Sequence, residues 1–234
     1  MAKSEERLLP SEPRIIFHAG IALAIGALGI TIASILYALT PPEAALPIAN
    51  PNLSAAFTAT ASGKATMSAA GIIGVIFDVV FMAAALVLLV FRKPKGTSIE
   101  PLGWALVMLS VMAFVILDAL AAVVLPRLAT GPQLTDVFTA FKLLFDIFFV
   151  LGSISFGLGG CAIFISEILS RPAGPLKVLM WGGVLFSLAA LISGLLYIVN
   201  VSLPLVMGGA ILGGGLIFSI YGMHIAYTAR RTTA

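Results

Sequence analysis

The sequence predicts an all-α polytopic membrane protein, a six-transmembrane-helix bundle with both termini cytoplasmic. Three observations predict it. The 234 residues are 60% hydrophobic and only 10% charged, against about 25% charged in a soluble domain, and the mean hydropathy is +1.14. Six apolar runs are each long enough to cross a hydrocarbon core of about 30 Å, which takes roughly 20 helical residues. Lys and Arg are shared unevenly between the two sets of connections. Helices are expected because lipid offers free backbone groups no partners, and the strand alternation of an outer-membrane barrel is absent.

The first run, about 15–39, follows "MAKSEERLLPSEPR" and is too long for a signal-peptide core. It is expected to remain as a helix behind a cytoplasmic tail, 1–14. An outer loop then covers 40–68, and its Ala-rich second half, about 53–63, is expected to form a short helix lying over the bundle as a partly ordered cap. The second run, about 69–91, ends in the tight turn "FRKPKGTSIEP", where Pro and Gly break the helix. The third run covers about 102–125. The fourth, about 137–169, exceeds the bilayer and must tilt or protrude. "SRPAGP" turns the chain into the fifth run, about 175–199, and the sixth, about 204–228, leads to a cytoplasmic tail, 229–234. The transmembrane domain is thus 15–228. A 3+3 inverted repeat fits this topology, but no matching motifs support one.

Orientation follows from basic residues near the span ends. One set of connections holds Lys3, Arg7, Arg14, Arg92, Lys93, Lys95, Arg171, Lys177, Arg230 and Arg231; the other holds Lys64 and Arg127, with Lys142 just inside a helix. The pI near 9.2 is therefore a topology signal, and no nucleic-acid partner is expected. The single cysteine, Cys161, excludes an intramolecular disulfide and a cysteine-based metal cage.

Three aspartates interrupt the apolar runs: Asp78 in "GVIFDVVF", Asp118 in "FVILDALA" and Asp146 in "FKLLFDIFF". Each costs about 2.5–3.5 kcal/mol at a helix centre on insertion scales, so such residues face the bundle interior and find partners there. Counting about 1.5 Å per residue from the span centres puts all three, with Lys142, in the outer half. Gly71, Gly74 and Asp78 share one helix face, as do Asp146, Ser153, Gly157, Gly160 and Glu167. Small residues mark close helix approach, so these faces are predicted to point inward. Lys142 precedes Asp146 by one turn and is expected to pair with it. Three carboxylates against one lysine leave negative charge over, which a proton, a cation or an amine must balance. The bland alternative is that the cluster only holds helices together, at about 0.6 kcal/mol per polar contact.

Weaker signals remain. His18 and His224 fall at a similar depth near the cytoplasmic surface and are the candidate axial pair for a haem; interfacial histidines are the commoner explanation, and no third ligand is evident for a transition metal. Glu167, one turn before Arg171, is expected to form an interfacial ion pair with it. Gly208, Gly209, Gly213, Gly214 and Gly215 make the last span smooth, which suits close helix packing or a groove for a lipid, quinone or carotenoid. No metal site is expected. No HExxH, GxSxG, P-loop or Ser/His/Asp arrangement is present, which leans away from an enzyme.

The long first outer loop, "FDVVFMAAALVLLVFRKPK", "FKLLFDIFFVLGSISFGLGG" and "ILSRPAGPLKVLMWGGVL" together resemble an uncharacterised family of six-helix bacterial integral-membrane proteins, a domain of unknown function. The resemblance covers about 15–228 and implies a fold and a bacterial inner (plasma) membrane location, without an activity. His18 and His224 are not part of its pattern.

These readings lead to an expected function: binding or transport of a small ligand, proton or cation at the outer-half cluster of Asp78, Asp118, Lys142 and Asp146. The alternatives are a non-catalytic accessory subunit of a larger membrane complex and an intramembrane lipid-modifying enzyme. The expected partners are the bilayer itself and further copies or subunits of a membrane complex.

Overall fold

The computed structural model describes residues 12–92, 99–131, 133–170 and 174–231. Its helices are α1 (Glu12–Ala38), α2 (Pro42–Ala45), α3 (Leu53–Phe91), α4 (Ile99–Ala119), α5 (Leu125–Leu128), α6 (Asp136–Ser170), α7 (Pro175–Ile198) and α8 (Pro204–Arg231). A π-helical turn, Leu120–Val124, joins α4 to α5, and the two run on as one span, 99–128. The wider turn lies next to Pro126, which has no N–H to give the ladder; the Leu125 N–H reaches back to the Leu120 carbonyl instead. Among the described residues there is no strand.

Six helices are long and apolar enough to cross a membrane, as the six runs predicted. They form a closed ring in chain order. α1 packs on α3, α3 on α4, α4 on α6, α6 on α7, α7 on α8, and α8 returns to α1. Ile72, Ile76, Val79, Leu86 and Val90 of α3 are all exposed; spaced by threes and fours, or multiples of these, they form the stripe that meets lipid. The opposite stripe, Gly71, Gly74 and Asp78, is buried, as are Asp146, Ser153, Gly157, Gly160 and Glu167 of α6.

Two elements differ from the sequence expectation. The segment 53–63 is not a separate helix over the bundle: it is the start of α3, which runs unbroken for 39 residues. The Asn52 side chain accepts from the Ala55 N–H and caps it, and no proline interrupts the Ala-rich stretch that follows. Helical structure also extends beyond the expected first and last spans, to Glu12 and Arg231. At 1.5 Å per residue, α3 is about 58 Å long and α6 about 52 Å, well beyond a hydrocarbon core of about 30 Å. Both overshoot at the end that carries α2, where the Phe57 and Phe138 rings meet edge-on with centroids 5.2 Å apart. With α2, whose Ala44 and Ala45 are buried, these projections make a cap.

The bundle axis is filled by aromatic rings around Phe218 of α8, which is fully buried. Phe81 from α3, Trp104 from α4, and Phe156 and Phe164 from α6 all surround it, with centroids 4.8–6.2 Å away. This plug divides the interior into a compartment towards α2 and another towards the termini.

Candidate functional site

The compartment towards α2 is a cavity of about 210 Å³ between α1, α3, α4, α6 and α8. Its wall is mostly carbon, with Phe114, Leu117, Phe149 and Ile211 prominent, and its polar groups come chiefly from Tyr37, Asp78 and Asp118. Each reaches the cavity for a local reason. Asp78 lies on the small-residue face of α3. Asp118 lies in the last turn of α4, two residues before the π-helical turn, a distortion often found at functional sites. Tyr37 closes α1 and donates its phenolic hydrogen to Asp118 Oδ1 at 2.6 Å.

Glycine makes the arrangement possible. A side chain at Gly74 would collide with the Asp118 carboxylate, and one at Gly71 with the Asp118 carbonyl and the Ala122 backbone. α3 and α4 therefore touch backbone to backbone, which sets Asp78 and Asp118 in the same cavity wall. Asp78 Oδ2 is buried with no hydrogen-bond partner.

Lys142 and Asp146 lie beside this cavity and not in its wall. Lys142 Nζ is 2.5 Å from Asp146 Oδ1, donates to the Leu46 carbonyl at 3.3 Å, and stands 5.0 Å from the centre of the Phe145 ring. Both residues are fully buried, and Asp146 Oδ2 has no hydrogen-bond partner. The expected i,i+4 pair is therefore present, and it anchors the residue after α2 to the projecting part of α6. The four charged residues form two neighbouring groups; Tyr37, whose ring meets Phe145 edge-on at 6.4 Å, stands between them.

His18 lies near the start of α1 and His224 near the end of α8. His18 is exposed, and its Nδ1 bonds to the Arg14 carbonyl of its own helix at 2.8 Å. At this level α1 and α8 are in contact: a side chain at Gly20 would strike the Gly222 and Ala226 backbone, and one at Gly222 the Gly20 and Ala24 backbone. The glycines of α8 mostly receive neighbouring groups: Phe186 at Gly213, Phe156 at Gly214 and Thr31 at Gly215. Only towards α2 do they open, where Gly208 and Gly209 border the cavity.

A second polar centre, which the sequence reading missed, fills the compartment towards the termini. Arg92, at the C-terminal end of α3, pairs with Glu100 of α4 at 2.9 Å and with Glu167 of α6, and donates to Tyr221 of α8. Tyr221 donates to Glu167 at 2.7 Å, and Trp104 stacks on it at 6.4 Å. Burial opposes the charge on Arg92, but Tyr221, Glu167 and Glu100 outweigh it and hold the guanidinium above its ordinary pKa. The expected partner of Glu167, Arg171, lies outside the described residues. The available signal was Glu167 itself: it shares the inward stripe of α6 and so was placed to meet the interior.

Counted along their helices, Asp78 is fourteen positions from Arg92, Asp118 eighteen from Glu100 and Asp146 twenty-one from Glu167. At 1.5 Å per residue the two polar levels are about 20–30 Å apart. Among the described residues no three His, Cys, Asp or Glu side chains are grouped to hold a metal ion. Comparison with known proteins finds no matching family model, no matching curated protein and no matching solved structure.

Proposed function

We propose that this membrane protein binds, and in a second step moves, a small ligand, proton or cation through the cavity walled by Asp78, Asp118 and Tyr37. The single observation that carries the reading is Asp78 Oδ2, a carboxylate oxygen buried without a hydrogen-bond partner on a residue of the cavity wall. Leaving a buried acceptor unmet costs about 1–3 kcal/mol. A purely structural cluster gains nothing from that cost, whereas a ligand that donates a hydrogen bond removes it. The basic residues at the span ends support an orientation with both termini in the cytoplasm, so that the cavity lies in the outer half of a bacterial plasma membrane. The Phe218 plug and the Arg92 cluster then close the cytoplasmic side.

Native mass spectrometry of protein released from its own membrane provides the test. The native chain is expected to carry a small-molecule adduct that a Gly209→Trp variant, with a bulky side chain at the cavity mouth, lacks. If the native chain carries none, and no compound from a panel of small cations, acids and alcohols changes its melting temperature, the binding reading fails. The accessory-subunit reading then takes its place.

A further inference from the structure

We infer that the cavity is built for a small amphipathic organic monocation, a protonated amine on an apolar body, which enters sideways from the membrane. This rests on the binding reading above and adds the ligand class and the route.

The wall specifies the class. Hard metal cations take six to eight oxygen ligands, but among the described residues no three acidic, His or Cys side chains are grouped, and the wall offers two carboxyl groups, a phenol and the hydroxyls of Ser34 and Thr40 among carbon. An anion would meet two carboxyl groups. A neutral apolar molecule would leave Asp78 Oδ2 as it is, without a donor. An ammonium group supplies that donor in charge-assisted form. Phe114 and Phe149, whose rings meet edge-on at 6.0 Å, both line the cavity and offer aromatic surface to a cation and to its apolar body. The 210 Å³ volume exceeds the roughly 150 Å³ of a cavity that accepts benzene, so the body is about one ring or a short alkyl chain.

The route follows from how α1 and α8 part. They are in backbone contact at Gly20 and Gly222 and still touch where Thr31 meets Gly215. Nearer α2 a side chain added at Gly209 would meet nothing within 4 Å. The exposed rim of the cavity is Ala38 of α1, Pro42 of α2, and Leu205 and Gly209 of α8. Leu39, Leu205 and Val206 beside it are 70%, 76% and 47% exposed. The mouth therefore opens through an apolar surface between two spans. A ligand that dissolves in the membrane with its charge at the interface reaches it directly.

The test compares 2-phenylethylamine with its neutral counterpart 2-phenylethanol, by calorimetry on protein in nanodiscs. The native chain is expected to bind the amine at least tenfold more tightly than the alcohol. Asp78→Asn should lose at least tenfold of the amine affinity and leave that of the alcohol unchanged. Gly209→Leu, which fills open space at the mouth, should weaken both. Equal binding of amine and alcohol by the native chain overturns the ligand class while keeping the cavity as a binding site. Binding of neither overturns both. The amine and alcohol comparison on native protein decides the class even if Asp78→Asn does not fold. Gly209→Leu with unchanged affinities overturns the lateral route alone.

Discussion

Lys142 and Asp146 form an ion pair with no exposure to solvent, nitrogen to oxygen 2.5 Å, one turn apart on α6. Removing one member of such a buried pair leaves an uncompensated charge and costs about 3–5 kcal/mol, whereas removing both costs far less. Lys142→Met and Asp146→Asn are each expected to destabilise the protein strongly, and the double variant to recover much of the loss. A cycle combining Lys142→Met with Asp78→Asn should be additive to within about 0.5 kcal/mol, since these residues share no direct contact. Thermal unfolding in nanodiscs reads both cycles. Strong coupling between Lys142 and Asp78 would mean that the two groups act as one site.

The α3–α4 contact predicts opposite outcomes for two glycines. Gly74→Ala drives a methyl group into the Asp118 carboxylate, and overpacking of this kind costs about 1–3 kcal/mol. Gly209→Ala meets open space and replaces the poorer helix former, so it should be neutral or stabilising by up to about 1 kcal/mol. Melting temperatures of the two variants, purified side by side, provide the check.

Arg92 pairs with two buried carboxylates in the cluster towards the termini. Arg92→Met is expected to cost about 3–5 kcal/mol, and Tyr221→Phe about 1–2 kcal/mol for its hydrogen bond to a carboxylate. Adding Glu167→Gln to Arg92→Met should restore part of the stability. Unfolding by denaturant in mixed micelles measures all three, and no recovery in the double variant would count against an ion-pair role.

Topology is testable with exposed positions at opposite ends of the bundle. In a Cys161→Ala background, Ser62→Cys should react with a membrane-impermeant thiol reagent added outside intact cells. Gly174→Cys should react only after permeabilisation. Gly174 has extended backbone, φ 163°, and nothing within 4 Å of an added side chain, so the substitution is mild. Labelling of both from outside would overturn the orientation.

The spans, their inward faces and the Lys142–Asp146 pair were legible because each is a local pattern: run length, three-and-four spacing and an i,i+4 offset. The cavity was legible only as a layer of aspartates. Tyr37 was invisible, because its contact with Asp118 joins residues 81 positions apart and a tyrosine near a span end is ordinary. Arg92 and Glu100 were read as features of a turn, since both border the breaker-rich "FRKPKGTSIEP". Their burial depends on how four helices close around them. The continuity of α3 through 53–63 was missed because polar Thr and Ser there masked a segment with a good cap and no proline.

The ring of helices closes through the contact of α1 with α8, and that has a consequence for assembly. The chain is made from its N-terminus, so α1 is complete while its partner is still unsynthesised. Until α8 arrives, the Gly20, Ala24 and Ala27 face of α1 has no protein to pack on, and the cavity lacks the wall that Gly208 and Gly209 supply. A chain stopped after α7 would hold its aspartates in a groove open to lipid. The arrival of α8 is thus the step that turns an open cleft into a site, and its docking on α1 and the formation of the cavity are a single event.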